Sequence, residues 1–194
     1  QILKMTFNSD TEEYKLVNAI ESSATRGAEL SQKLRNFAQR SVILKEPLDI
    51  NDIVEEVVEL LYRTVEKFIS IELDLNKDLW KVEADKSQIY QLILNICVNA
   101  KEAIMPIGSG KIVIKTRNIE LSKEEAVLHT AVLTNGRFIV LSINDTGMGM
   151  DDATKKRLFE PFFTTKSEQR VKGVGLGLAV VYGVINSHKG FIKV

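Results

Sequence analysis

The sequence Asn-Asp-Thr-Gly-Met-Gly-Met, at residues 144–150, directly follows a run over 138–144 whose β-branched residues predict a strand. Its two glycines let a backbone turn sharply and approach a ligand closely. Asp145 can accept a hydrogen bond from an exocyclic amine such as that of adenine, and a buried carboxylate of this kind discriminates strongly between bases. The stretch therefore predicts either a nucleotide contact at Asp145 or a plain strand-to-loop turn that Asp145 caps.

A second glycine-rich run, at residues 173–178, reads Gly-Val-Gly-Leu-Gly-Leu and opens a predicted helix over about 176–187. Exposed N–H groups at a helix start can bind phosphates. The run lacks both the preceding strand of a dinucleotide fold and the Gly-Lys-Ser/Thr ending of a P-loop. Between the two glycine runs, residues 159–166 carry three phenylalanines in an otherwise polar stretch. This composition predicts a mobile lid, a loop anchored to the core by its aromatics, or both.

A helix is predicted upstream, over Lys86 to Met105. One stripe along it is apolar, comprising Ile89, Ile93, Ile96, Ala100 and Ile104. The neighbouring stripe is polar, comprising Gln88, Gln91, Asn95, Asn99 and Glu102. Asparagine is a mediocre helix former, and its amide oxygen suits a hard cation such as Mg²⁺ when phosphates complete the coordination shell. The polar stripe is either a metal site or an ordinary solvated face.

In order and spacing, these four elements resemble the N, G1, F and G2 boxes of sensor histidine kinases over residues 47–194. The resemblance implies an α+β fold, a two-layer α/β sandwich of the histidine-kinase ATPase type that binds ATP and Mg²⁺. By resemblance, Asp145 holds the adenine amine, and Asn99 coordinates Mg²⁺ with help from Asn95. The implied ATP-site residues are Asn95, Asn99, Glu102, Asp145, Gly147, Gly149, Phe159, Phe163, Lys166, Gly173, Val174, Gly175, Leu176, Gly177 and Leu178.

Catalysis, by the same resemblance, rests on Asn95 and on Lys166 as a γ-phosphate contact, with Arg170 and Lys172 as further candidates. Two positions depart from the family pattern. Val174 stands where a small hydroxyl residue is usual, and Lys189 stands where glycine is common. Neither substitution removes a ligand, because the implied contacts there are made by the backbone.

The first 46 residues resemble the dimerisation and histidine-phosphotransfer hairpin of that family. The second hairpin helix is predicted from about Asp10 to Leu44, with a seam comprising Leu16, Ile20, Ala24, Gly27, Leu30, Leu34, Phe37 and Ser41. This seam predicts either a homodimeric four-helix bundle or packing on the following domain. Pro47 marks the boundary, which gives domains over 1–46 and 47–194.

The phosphoacceptor histidine of the family lies on the first hairpin helix, of which residues 1–7 would form the end. We therefore expect this chain to bind ATP without phosphorylating itself. His129 and His188 lie outside the hairpin, and His188 matches a family position without a catalytic role. The resemblance also implies transfer of the phosphoryl group to an aspartate of a response-regulator receiver domain.

Further elements are predicted from the pattern of apolar residues. They are a helix over 50–68, strands over 69–75, 111–117 and 138–144, an extended piece over 80–84, a polar segment with helical character over 122–133, and a strand that begins at 190–194. The sheet is predicted to be mixed or antiparallel. By resemblance, the closing strands of the sandwich would follow Val194.

The composition excludes several classes of protein. Of 194 residues 44% are hydrophobic, which excludes a disordered chain, and 26 basic and 26 acidic residues leave no basic excess for binding nucleic acid. No apolar run approaches the ~20 residues of a membrane span. The single cysteine, Cys97, and the lack of a leader pattern make the cytoplasm the expected compartment, with a membrane anchor elsewhere in a longer protein left open.

Two alternatives share the nucleotide fold. Gyrase-like, mismatch-repair and heat-shock ATPases typically place a glutamate one turn before the Mg²⁺ asparagine, where it deprotonates water. That position here is Asn95, whose amide cannot act as a base, and Glu102 lies two turns too late to replace it. A non-catalytic nucleotide sensor is opposed by the presence of Asn99, Asp145 and the glycines of 173–177.

Overall fold

The computed structural model describes residues 7, 11–38, 44–64, 68–122, 136–165 and 175–194. The chain divides into two compact units, residues 1–41 and 42–194. In the first unit, helix α1 runs from Glu12 to Ala38, which confirms the long predicted helix, whereas its predicted cap Asp10 lies outside the described residues. The seam residues Leu16 and Ile20 are 62% and 68% exposed. Both side chains are therefore available to a partner surface.

The second unit alternates helices and strands. Its elements are β1 (Glu46–Leu48), α2 (Ile50–Thr64), β2 (Ile69–Asp74), β3 (Val82–Ala84), α3 (Lys86–Ile104), β4 (Gly110–Leu121), β5 (Gly136–Asp145), α4 (Asp152–Arg157) and α5 (Gly177–Ser187). A short 3₁₀ turn, Met105–Ile107, follows α3. Among the described residues, no helix is both long and apolar enough to cross a membrane.

The main sheet has the strand order β2-β4-β5. Strand β2 runs parallel to β4, with Ile69 beside Gly110, and β4 runs antiparallel to β5, with Ile112 opposite Asp145. The predicted mixed sheet is therefore confirmed. A separate antiparallel pair joins β1 to β3, with Glu46 opposite Ala84.

Helices α2, α3 and α5 cover one face of the sheet and share its core. Strand β4 buries alternate side chains, and α3 buries most of its predicted apolar stripe. Ile96 is only partly buried, whereas Leu92 and Cys97 are buried although they were not assigned to the stripe. The helix buries a wider arc than a single stripe because it packs against both its neighbouring helices and the sheet.

Several sequence predictions need correction. Helix α2 is described to Thr64, and Phe68, where the helix was predicted to end, lies in a turn. Residues 190–194 form no strand. Strand β1 and helix α4 were not predicted, because three and six residues carry too little periodicity. Most of the polar segment at 122–133 lies outside the described residues.

Asp85 caps the start of α3, where its side chain accepts hydrogen bonds from Gln88 N at 3.1 Å and Ser87 Oγ at 2.6 Å. Its other oxygen accepts from Leu44 N at 3.1 Å. The hydrogen bond from Ser87 is the main cause that holds the pKa of Asp85 below its ordinary value of 3.8. Because folding lowers this pKa, ionised Asp85 stabilises the domain above pH 3.8, and the stabilisation is lost as pH falls through the folded-state value.

Asp85→Ala is expected to lower the free energy of unfolding at pH 7 by about 1–2 kcal/mol, because three donors lose their acceptor. Urea unfolding of both proteins at neutral and acid pH measures this difference, which should shrink as the native carboxylate becomes protonated. Asp78→Ala removes an exposed carboxylate and serves as the control. A difference that stays constant down to pH 3 would contradict the assigned role.

Candidate functional site

The polar stripe of α3 contacts the start of α5. Asn95 Nδ2 donates to the carbonyl of Gly177 at 3.3 Å, and Gln91 Nε2 donates to Asn95 Oδ1 at 3.0 Å. A Cβ added at Gly177 would lie 3.8 Å from Asn99 Nδ2. The structure thus brings both asparagines beside the third glycine of the 173–178 run.

The loop after β5 is fastened to the end of α3 and to β4. Met148 N donates to Ala103 O at 3.1 Å. Thr146 exchanges two hydrogen bonds with Lys111: its N–H donates to the carbonyl at 3.1 Å, and its Oγ1 accepts from Lys111 N at 2.9 Å. A Cβ at Gly147 would lie 2.6 Å from the Cβ of Ala103, so only glycine lets the loop pass this close to α3.

Asp145 caps a strand-to-loop turn, which is one of the two interpretations that the sequence allowed. Its Oδ1 accepts from Gly147 N at 2.8 Å, which is a two-residue side-chain turn. The Asp145 side chain is exposed, whereas strong discrimination between bases calls for a buried carboxylate. A carboxylate has two oxygens with several acceptor positions, and among the described residues none donates to Oδ2. The turn and a ligand contact are therefore compatible.

The phenylalanine segment meets the glycine run at Gly175. Phe162 N donates to Gly175 O at 2.9 Å. Gly175 has φ of 68°, and a Cβ there would lie 2.5 Å from the carbonyl carbon of Phe162. This position requires glycine for both reasons.

Two of the three phenylalanines anchor the segment. Phe159 lies 5.2 Å from the ring of Tyr182 on α5, and the Arg157 guanidinium lies 4.4 Å from the ring centre of Phe163. Phe162 is instead 59% exposed. The aromatics thus hold the segment to Tyr182 and Arg157, which are both exposed, so anchoring to the core stays a prediction. The lid also stays a prediction, since residues 166–174 lie outside the described part of the chain.

The other predicted site residues fall into three groups. Leu176 is buried and Leu178 is partly buried against the core, so their side chains support the fold around the site. Glu102 lies partly buried on α3, and Gly149 has φ of 70° in the loop after β5. Outside the described residues lie Lys166, Arg170, Lys172, Gly173 and Val174.

Sequence reasoning missed two residues that shape the site. Gln91 orients Asn95, and the four-residue spacing of two amides on one helix was the available signal. Thr146 joins the loop to β4 through its hydroxyl, which no spacing rule would have revealed. Gln91 acts on a predicted site residue, whereas Thr146 acts on Lys111 of β4.

The family model for histidine kinase-, DNA gyrase B- and HSP90-like ATPases matches residues 84–194, which hold every part of this site. This chain belongs to that ATPase family. The second unit is therefore a nucleotide-binding domain, and its α+β fold is of the expected type.

Curated relatives show which members of the ATPase family the chain is similar to. The chain is 41% identical over 89% of its length to the sensor kinase CckA of Brucella abortus (strain 2308), and 32% identical over 84% to the signal transduction histidine-protein kinase AtoS of Escherichia coli (strain K12). It spans only 18% of the first and 24% of the second. The resemblance to sensor histidine kinases is thereby confirmed.

A solved structure shows the same fold. The histidine kinase ThkA, in complex with the response regulator protein TrrA, matches with a TM-score of 0.57 and 21% identity over 84% of this chain and 44% of that one. At this identity the likeness establishes the fold alone.

Proposed function

We propose that this chain is the Mg²⁺-ATP-binding catalytic part of a sensor histidine kinase, which transfers the γ-phosphoryl group to a histidine and thence to a response-regulator aspartate. The observation that carries the proposal is the hydrogen bond from Asn95 to Gly177, with Asn99 lying beside the same glycine, which places candidate metal ligands at a candidate phosphate-binding helix start. The named histidine kinases among its relatives support the reaction class. The ThkA complex supports the partner class.

ATP would lie between α3, the loop after β5 and the start of α5. Asp145 Oδ2 would accept the adenine amine, while Oδ1 keeps the turn with Gly147. The backbone N–H groups at Gly173, Gly175 and Gly177 would face the phosphates at the positive end of the α5 dipole. Phe159 and Phe163, held by Tyr182 and Arg157, would fix the near edge of the segment that covers the phosphates.

The amide side chains of α3 suit a magnesium ion that is bound mainly by the phosphates of a nucleotide. Among the described residues there is no group of three or more His, Cys, Asp or Glu side chains able to cage a metal. Magnesium, however, commonly takes one or two protein ligands and completes its octahedron with phosphate oxygens and water. Asn99 fits the ligand role better than Asn95, whose oxygen already accepts from Gln91. When bound, the metal would neutralise phosphate charge.

Catalysis in this proposal is mostly positioning and charge stabilisation. Lys166 is the foremost candidate for the γ-phosphate contact, with Arg170 and Lys172 close to it in sequence. Asn95 would orient the phosphate end by donating to the backbone at Gly177. His188 is excluded as the acceptor of the phosphoryl group because both its ring nitrogens have partners in the fold.

Asn95 also separates a kinase from a clamp-type ATPase. A carboxylate at this position would face the γ-phosphate end and could deprotonate water, whereas the amide cannot. Asn95→Glu is expected to raise phosphate release by about tenfold, a small part of what a well-placed general base contributes. Phosphate release under saturating Mg²⁺-ATP measures this effect.

Asn95→Gln is the matched control, since it has the length of glutamate without the carboxylate, and its release rate should stay at the basal level. Fast release from the unaltered chain would favour the clamp ATPase. Equal rates in the glutamine and glutamate variants would remove Asn95 from the site of water attack.

The proposal includes a homodimer through α1. Leu16 and Ile20 are exposed in the single chain and lie one turn apart on the seam, so a second copy would remove both from water. Replacing both with glutamate is expected to convert a dimer into a monomer in sedimentation equilibrium. Thr25→Glu places the same charge on the opposite face of α1 and should leave the dimer intact. A monomeric unaltered chain would contradict this assignment.

A further inference from the structure

His188 directly follows α5, and both of its ring nitrogens are engaged. Nδ1 lies 2.9 Å from the carbonyl oxygen of Val184, and Nε2 lies 3.1 Å from the backbone N of Asp85. A carbonyl can only accept and an amide N–H can only donate. Nδ1 must therefore carry a proton and Nε2 must present its lone pair. The contacts define a neutral imidazole in the Nδ1–H form.

This side chain joins the end of α5 to the start of α3. In the middle of α3, Asn95 donates to Gly177 at the start of α5. Between these two contacts, Ser187 Oγ lies 3.5 Å from Gln88 Oε1. The two helices are thus antiparallel, and their register is fixed by a hydrogen bond at each end of α5. The His188 bond lies far from the phosphate-binding end, and the Asn95 bond lies within it.

The backbone N–H of Asp85 depends on His188 Nε2 as its hydrogen-bond acceptor. Asp85 is buried at 8% exposure, and its carboxylate is already engaged by Leu44, Ser87 and Gln88. Its N–H precedes the first turn of α3, where no intrahelical carbonyl is available. A buried donor without an acceptor costs free energy, so α3 would shift to regain one.

We propose that His188 is a positioning residue for nucleotide binding, whose Nε2 sets the register of α3 on α5 and so holds Asn95 and Asn99 beside Gly177. This inference rests on the proposed Mg²⁺-ATP site. It gives a role to a histidine that the reaction itself does not use. His188 is not a catalytic residue, because it touches neither the proposed nucleotide nor the metal.

Two variants separate the hydrogen bond from mere packing. His188→Gln places a carbonyl oxygen near the position of Nε2, and Val184 O keeps its hydrogen bond from Ser187 Oγ at 2.8 Å. His188→Leu has similar bulk but no acceptor. We expect His188→Leu to raise the dissociation constant of Mg²⁺-ATP about tenfold, and His188→Gln to raise it about twofold or less. Titration calorimetry well below the unfolding temperature measures both.

Ile53→Val is the control for loss of stability alone, since Ile53 is 1% exposed and belongs to α2, which is not a member of the α3–α5 pair. It should lower the unfolding temperature without changing the ATP dissociation constant. A His188→Leu protein that is less stable but binds ATP unchanged would overturn the inference. So would equal weakening in the leucine and glutamine variants, because the acceptor would then be irrelevant.

A nucleotide-free measurement tests the inference even if the proposed function fails. Nitrogen-15 NMR of the unaltered chain at neutral pH should show the proton of His188 on Nδ1. The side-chain amide signals of Asn95 and Asn99 should shift in His188→Leu and remain near their original positions in His188→Gln. A proton on Nε2, or unmoved asparagine signals in the leucine variant, would overturn it. Failure of the unaltered chain to bind Mg²⁺-ATP would instead count against the proposed function.

Discussion

Asp145→Asn is expected to weaken ATP binding by about 1–3 kcal/mol, which is roughly a fivefold to 150-fold rise in the dissociation constant. Adenine lying over Asp145 would exclude water from this exposed carboxylate. In the variant, the position of one oxygen is taken by an NH₂ group, which cannot accept from the adenine amine. The size of the loss depends on how fully the base covers this side chain.

Asparagine is the informative replacement because its own oxygen can keep the turn to Gly147 N. Loss of affinity would then report the second oxygen rather than a collapsed loop. The same change should reduce the preference for ATP over ITP, whose base carries a carbonyl in place of the amine. Titration calorimetry with both nucleotides measures affinity and preference together.

Asp151→Asn is the matched control. Asp151 is also an exposed carboxylate that accepts a backbone N–H, from Thr154 at 2.7 Å, but it caps α4 outside the proposed site. Its substitution should leave both affinities unchanged. Unchanged ATP affinity in Asp145→Asn would remove this residue from the adenine site.

Asn99→Ala is expected to abolish most of the strengthening of ATP binding by Mg²⁺. The variant removes the one α3 amide beside Gly177 for which the structure gives no competing hydrogen bond from Gln91. Without that ligand, the metal would be held by nucleotide and water alone. ATP titrations in excess Mg²⁺ and in excess chelator should therefore give nearly the same dissociation constant for the variant and clearly different ones for the unaltered chain.

Asn186→Ala removes an exposed asparagine from α5 and should keep the full magnesium effect. If magnesium still strengthens ATP binding in Asn99→Ala as much as in the unaltered chain, the metal ligand lies elsewhere. The experiment also distinguishes the two asparagines, because Asn95 would remain available in the variant.

Periodicity predicted the parts of the fold that are long enough to show it. The apolar spacing from Ile89 to Ile104 located α3 within one residue, and the β-branched runs located β4 and β5. The strand at 190–194 was wrong. A strand needs a neighbouring strand to pair with, and among the described residues none pairs with 190–194. Short elements such as β1 depend on a partner distant in sequence, which periodicity cannot reveal.

For Gly147, the sequence predicted a different reason for the glycine from the one that the structure shows. Gly147 was expected to admit a ligand, whereas the structure shows that it admits α3 through contact with Ala103. The exposure of Asp145 could not be read from its neighbours in sequence. The exposure of this side chain depends on the position of the loop after β5 relative to α3 and β4.

The departure at Lys189 has a physical explanation. Lys189 lies two residues beyond the end of α5 with φ of 56°, the left-handed conformation that glycine adopts without strain. The glycine of the family pattern would therefore avoid strain at this helix end, whereas lysine adopts the same conformation at some cost. The adjacent His188 makes its two contacts from the residue before this turn.

The measurement that tests the central claim most directly is a titration of the chain with Mg²⁺-ATP in which inorganic phosphate release is followed on the same sample. We predict saturable, magnesium-dependent binding with negligible release, since Asn95 supplies no base for water and we expect neither His129 nor His188 to accept the phosphoryl group. Brisk release that rises with protein concentration would contradict the account and assign the chain to the clamp ATPases.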